Sequence, residues 1–292
     1  MAVMNTHHDR SLPRRSFLHL AAALAGSSLL PQALTFGADD AIAASADVTT
    51  DAFGGLVPGA QSYTFRAMSL DNALAAMKQL GIKEVELFPN HLAGLSRKQV
   101  MEKLDANGVK AVSYGVIPFS ADIDENRKHF ELAKGYGMKN LSCDPTPDAF
   151  DSLDKLTEEY GITAAIHPHG PRHRWAKIDT IWNAVKDHSN KIGLCADTGH
   201  LIRAEEDPVR ALEVFKDRLF ALHLKDFKKL GDNKWEDVPL SDGTLDTVAV
   251  IKFLLDHDFK GAMLIEYEGK DEVASVKKSL ERVKQAVAKH RA

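Results

Sequence analysis

A chain of 292 residues, 44% hydrophobic and 27% charged, has the composition of an ordinary globular protein. Its formal net charge of -4 leaves no basic footprint, so a nucleic-acid partner is not expected. Two cysteines, Cys143 and Cys195, lie in apolar strand-like runs and are expected as buried free thiols, without the spacing of a metal or redox motif.

The first residues read as an export signal. Pro13 to Leu34 reads PRRSFLHLAAALAGSSLLPQAL: a twin arginine at Arg14 and Arg15, then an apolar stretch from Phe17 to Leu30. That stretch is shorter than the roughly 20 apolar residues a bilayer requires. Small-residue cleavage patterns follow at Ala41-Ile42-Ala43 and Ala44-Ser45-Ala46. The order resembles a twin-arginine leader. Residues 1–46 are therefore read as signal and leader, and residues 47–292 as the mature domain. The expectation is a periplasmic or otherwise exported protein, delivered by the twin-arginine machinery, with no stable membrane insertion after processing. The leader carries three basic residues (Arg10, Arg14, Arg15) and three acidic ones (Asp9, Asp39, Asp40), so the mature charge stays at -4.

Short apolar runs then alternate with helical stretches. Strands are predicted at 60–66, 83–89, 110–117, 139–145, 162–168, 191–197, 219–226 and 261–268. Helices are predicted at 69–81, 96–108, through 125–137, and at 147–160, 176–188, 207–216, 244–258 and 271–290. Ser69 starts the first helix and Gly81 ends it. Eight such units predict parallel strands closed into one (β/α)8 TIM barrel, and no interior linker suggests a second domain. The stretch 227–243, with Trp235 and Pro239, is read as a long irregular loop that shapes a site.

In a closed parallel barrel the carboxyl ends of the strands face one opening. Glu86 ends the second strand. "IHPHG" supplies His167 and His169, and "CADTGH" supplies Asp197 and His200. "HLKD" supplies His223, Lys225 and Asp226, and "IEYEG" supplies Glu266 and Glu268. A lone histidine at a strand end is usually structural. His167, Asp197, His223 and Glu266, however, end four consecutive strands. That mixed nitrogen and oxygen set suits one divalent ion such as Mn, Zn, Co or Fe. Proton abstraction beside a carbonyl is the chemistry such a set supports. Glu266 is the leading candidate base, with His169 and Glu86 as alternatives, and Lys225 would stabilise developing negative charge. "PRHRWAKID" offers Arg172 and Trp175 for carbohydrate contacts, and Asp226 joins them as a candidate substrate contact.

These elements, with "QSYTFR", "GIKEVELF" and "PLSDGTLD", resemble the xylose isomerase-like TIM barrels, often labelled sugar phosphate isomerases/epimerases. The resemblance covers nearly the whole mature chain. It implies metal-ligand positions at Asp197, His223 and Glu266 and a substrate contact at His200. Many ketose epimerases of that group have a glutamate where this chain has His167. Inosose dehydratase-like and keto-glycoside-cleaving branches use the same barrel. Endonuclease IV, a more distant relative, needs a further Asp-x-His pair and a DNA-binding surface, and this sequence carries neither. The expected function is a metal-dependent isomerase or epimerase of a non-phosphorylated keto-sugar or related polyol, working through an enediolate. A lyase or dehydratase of the same fold is the alternative, and a non-catalytic periplasmic sugar-binding barrel is the second. Either a monomer or a homo-oligomer is compatible with this reading.

Overall fold

Helix boundaries follow local chemistry in the computed structural model, which describes residues 52–292. The leader, with Arg14, Arg15 and the cleavage positions, lies outside the described residues. Ser69 accepts the Asn72 N–H and opens α1 (Leu70–Gln79). Ser96 and Gln99 form a reciprocal capping box on α2 (Arg97–Asn107), which ends at a left-handed Gly108. The other helices are α3 (Ile123–Tyr136), α4 (Phe150–Tyr160), α5 (Ile178–Val185), α6 (Thr198–Arg203), α7 (Pro208–Val214), α8 (Thr247–Asp256) and α9 (Glu272–Arg291).

The barrel strands are β1 (Gly59–Gln61), β2 (Glu84–Leu87), β3 (Lys110–Phe119), β4 (Asn140–Pro145), β5 (Thr163–Ile166), β6 (Ile192–Asp197), β7 (Leu219–Leu224) and β10 (Ala262–Ile265). They close in the order β1-β10-β7-β6-β5-β4-β3-β2, all parallel. This is the predicted TIM barrel. Alternate residues divide between two environments. Ala164, Ile166, Leu194, Ala196, Leu222, Leu224, Met263 and Ile265 join the large core shared with the helices. Ala165, Cys195, Ala221, Ala262 and Leu264 form a separate small cluster. One step further along the second set come His167, Asp197, His223 and Glu266. The small residues pack the barrel interior, and the polar ones emerge at its carboxyl end. Cys143 belongs to the outer core and Cys195 to the inner cluster, so the two thiols lie in different layers and remain free.

Three local expectations change. The first strand stops at Gln61, because its side-chain oxygen accepts the Tyr63 N–H and starts a 3-10 turn over Ser62–Phe65. A short α6 follows β6 directly, because the Asp197 side chain caps it through the His200 N–H at 2.6 Å. The stretch read as a loop is largely an antiparallel ribbon, β8 (Asp226–Gly231) with β9 (Lys234–Val238). Its charged, exposed residues hid the strand alternation from the sequence reading.

Asp226 is also reassigned. Its buried carboxylate accepts four backbone N–H groups, from Ser241 and Gly243 at 3.0 Å, Thr244 at 2.8 Å and Leu245 at 2.9 Å. It pins the loop ahead of α8, which leaves no oxygen free for substrate. Asp226→Ala should therefore cost about 2–4 kcal/mol of stability through stranded backbone donors. Denaturant unfolding measures this. A loss below about 0.5 kcal/mol would show that the loop holds its shape without the carboxylate.

Candidate metal centre

Four strands deliver one side chain each to the same point. His167 follows β5, Asp197 ends β6, His223 lies in β7 and Glu266 follows β10. Asp197 and His223 are paired in register across the β6–β7 ladder. His167 Nε2 stands 3.3 Å from Asp197 Oδ2 and 3.0 Å from His223 Nδ1, and His223 Nδ1 stands 2.9 Å from Glu266 Oε2. One ligand atom from each of the four lies within 4.8 Å of the others, and all four residues are buried. Asp197 Oδ2 and Glu266 Oε2 are buried without a hydrogen-bond donor. Two unpartnered carboxylate oxygens beside two imidazole nitrogens are unfavourable as they stand. A divalent cation satisfies all of them at once, so the donor set fits the metal its chemistry implies. Asp197 divides its oxygens: Oδ1 caps α6 and Oδ2 faces the centre.

Behind His223 lies Glu86, which is fully buried. Its Oε1 is 3.2 Å from His223 Nε2 and accepts Gln61 Nε2 at 2.5 Å, and its Oε2 accepts the Ser142 hydroxyl at 2.6 Å. Burial pushes its carboxyl up, but His223, Ser142 and Ser113 more than offset this, and it ends below the usual carboxylate range. Glu86 thus contacts the imidazole edge facing away from the centre. It is a positioning residue for His223 and not a base for substrate.

Lys225 is fully buried. Its Nζ lies 3.6 Å from Glu266 Oε1 and 3.9 Å from Asp237 Oδ2, and it also pairs with Glu268. Burial alone would lower its pKa, yet Glu266, Asp197, Glu268 and Asp237 raise it, so the ammonium stays charged. Burial likewise pushes Glu266 up, but Lys225 and His223 outweigh this and hold it at about 2. A carboxylate held so low is a poor general base near neutral pH. Glu266 Oε2 faces His223 and Oε1 faces Lys225, the placement of a ligand oxygen held by a cation.

Asp237, on β9, was missed by the sequence reading. It accepts the Glu268 N–H at 3.0 Å through Oδ2, while its buried Oδ1 has no partner. Burial, only partly opposed by Lys225, raises it to about 7. The signal was the length and position of the segment after the seventh barrel strand. Nothing in its composition marked Asp237 apart from its charged neighbours.

His169 and His200 stand at the mouth beside His167, with ring centroids 4.5 and 5.6 Å from it. Burial, with His167, His200 and His173 as neighbours, lowers His169 to about 3. Burial lowers His200 to about 4, despite Asp197. Both are neutral at pH 7, and each has a buried Nδ1 without a partner. Arg172 is exposed. Trp175 is not a sugar platform: it is buried, donates Nε1–H to the Pro145 carbonyl at 2.9 Å, and packs edge-on against Phe150. A cleft of about 590 Å³ opens at the amino-terminal end of the barrel, near Glu84, Lys110 and Lys139. No group of metal-ligating side chains lines it among the described residues.

Residues 142–286, which supply all four candidate ligands, match the family model of the xylose isomerase-like TIM barrel. That matched segment is similar to the family over 145 of the 292 residues. An inosose dehydratase of Clostridium botulinum (strain Alaska E43 / Type E3) is 25% identical over 144 residues, covering 44% of this chain and 48% of its own length. The chain thus spans about half the length of the curated relatives it matches. Among solved structures, an uncharacterised protein of Parabacteroides distasonis ATCC 8503 superposes with a TM-score of 0.61 at 26% identity, over 77% of this chain and 97% of that one. The IOLI protein, solved with a binding zinc atom, has a TM-score of 0.67 at 16% identity, over 80% and 99%.

Elemental analysis of the purified protein should find one divalent metal per chain. Asp197→Ala and His223→Ala should each lose it, while Trp175→Phe should retain it. Unchanged stoichiometry in both ligand variants would remove this centre as a metal site.

Proposed function

We propose that this protein is a metal-dependent enzyme acting on a small keto-sugar, cyclitol or keto-glycoside, and that its reaction begins by removing the proton next to a carbonyl. The convergence of His167, Asp197, His223 and Glu266 on two unpartnered carboxylate oxygens carries the reading. A divalent ion bound there would polarise the carbonyl and stabilise the negative charge that develops beside it. The remaining work falls to side chains. Asp237, raised to about 7, is the group best matched to proton transfer near neutral pH. Lys225 holds the Glu266 carboxylate in place from 3.6 Å and keeps it ionised. His169 and His200, both neutral, offer unpartnered ring nitrogens to hydroxyl groups of the substrate.

Proton removal has two outcomes, return of the proton to the other face or loss of a group from the neighbouring carbon. We favour elimination. Inversion needs a proton-transfer group on each face of the substrate. Asp237 is raised to about 7 by burial and keeps a buried Oδ1 without a partner, and the histidine of the centre that is also raised, His223, already stands as a candidate ligand. In an elimination one group suffices. The carboxylate takes the proton from carbon, the carbon–oxygen bond breaks as the double bond forms, and the same proton leaves with the departing oxygen as water or an alcohol. The name carried by the curated relatives, inosose dehydratase, supports this choice.

Turnover of a panel of inososes, keto-sugars and 3-keto-glycosides in deuterated water tests it. Elimination releases water or an aglycone and leaves an unsaturated ketone, whereas epimerisation inverts one centre and incorporates deuterium there. Metal-loaded Asp237→Asn should be slower by about 10²–10⁴-fold. Near-normal turnover in that variant would transfer the proton to His169 or His200. Sugar binding without exchange or turnover anywhere in the panel would favour a binding protein instead.

We further propose export of the mature chain, resting on Arg14, Arg15 and the small-residue patterns that follow. Replacing both arginines with lysine should retain the protein in the cytoplasm. Export of that variant would assign the leader to the general secretory route.

A further inference from the structure

Arg203, the last residue of α6, makes no hydrogen bond or ion pair among the described residues, and its Nε is buried without an acceptor. Other partly buried arginines have partners for their terminal nitrogens: Arg127 pairs with Glu159, Arg218 donates to several backbone carbonyls, and Arg282, whose Nε is also unpartnered, pairs with Asp242. A guanidinium presents five N–H donors in one plane; here Nε is buried without an acceptor, while the terminal nitrogens are open to water and to a ligand. The Cζ lies 5.0 Å from the centroid of the buried Phe227 ring. A cation held against a ring in this way keeps its N–H groups available to other partners.

The guanidinium lies on the far side of His200 from the metal centre, one side chain removed from it. Arg203 and His200 are three residues apart on α6 and share a face. Both converge on Gly170, in the loop after β5. A Cβ placed there would stand 3.6 Å from His200 Nδ1 and 3.8 Å from Arg203 Cζ, and the φ of +96° disfavours any side chain at that position. The gap therefore stays open. His200 Nδ1 is itself buried without a partner, and its ring lies 5.6 Å from that of His167. Charge around the mouth is also divided. Glu266, Glu268 and Asp237 stand on the β7–β10 side around Lys225, whereas on the β5–β6 side the one carboxylate of the centre, Asp197, is engaged in capping α6 and Arg203 forms no ion pair among the described residues.

We propose that Arg203 and His200 form an anion subsite beside the metal centre, and that the substrate carries a carboxylate there, as a sugar acid does. The inference deepens the proposed function and rests on it for the sugar part of the substrate. The planar fork of Arg203 matches the two oxygens of a carboxylate, and His200 donates or accepts one further hydrogen bond according to its tautomer. The acid end then points away from Glu266 and Glu268, which orients the molecule across the mouth.

Calorimetric titration of the full chain tests this, with D-glucuronate against D-glucose and D-gluconate against sorbitol, with metal and again after chelation. Glucose 6-phosphate is a third arm. The expected result is a preference for the acids of about 10-fold or more in the wild type, lost in Arg203→Met and partly kept in Arg203→Lys. Metal content and neutral-sugar affinity should be unchanged in both variants. Equal binding of acids and neutral partners in the wild type overturns the proposal, as does a preference that survives in Arg203→Met. A preference confined to the phosphate overturns the carboxylate assignment. Absence of metal from the wild type would defeat the metal-dependent reading instead, and the chelated arm would still measure whether Arg203 reads the charge.

Discussion

The contact between Glu86 and His223 is the constraint on which the centre depends. An ionised carboxylate inside a barrel is tolerable only when its oxygens are occupied. Here Gln61, Ser142 and His223 come from three other strands to do so. Glu86 Oε1 stands 3.2 Å from His223 Nε2 while Nδ1 faces Glu266 and His167, so the carboxylate charge lies on the ring edge opposite the centre. The hydrogen-bonded layer inside the barrel thereby sets the direction of a ligand on its far side. Gln61, whose own carbonyl oxygen starts the turn after β1, ties that layer to the first loop of the mouth.

Lys225 has the complementary role above the centre. It is surrounded by Glu266, Glu268 and Asp237, so its burial is offset by attraction from several directions. Excess carboxylate charge close to a cation site favours divalent ions, but it also suppresses the basicity of the ligand that lies nearest the lysine. The two carboxyl groups stand at similar distances from Lys225 and are similarly buried, but Glu266 also faces His223, which lowers it, whereas Asp237 has Glu268 and Asp197 as negative neighbours, which raise it. Environment separates two carboxyl groups of nearly equal intrinsic acidity.

The barrel was legible because strand alternation, helix starts such as Ser69 and Ser96, and left-handed glycine stops such as Gly108 are local signals that the tertiary structure reinforces. Convergence of the four candidate ligands was legible for a related reason: closure of the barrel turns positions at strand ends into neighbours. Roles within the cluster were not. Glu86 lay one strand end among others, and only the observed partners of both its oxygens place it behind His223. Trp175 and Asp226 looked like ligand contacts because their side chains are suited to sugars, yet each is satisfied by backbone carbonyls or N–H groups. Asp237 and Arg203 escaped notice because burial, stacking and the lack of a partner belong to the folded chain and leave no trace in spacing.

The β8–β9 ribbon is held at its two ends. Asp226 clamps the start to the loop of residues 241–245, and Asp237 near the finish holds the Glu268 backbone. Between these anchors the ribbon is mostly charged and solvent-facing, with Leu230 exposed at 58%. Its tip can lengthen, shorten or change sequence while the anchors, the barrel wall and the metal ligands keep their places. The ribbon is thus a replaceable lip on a fixed vessel: a lineage can alter what the mouth admits without rebuilding the chemistry beneath it.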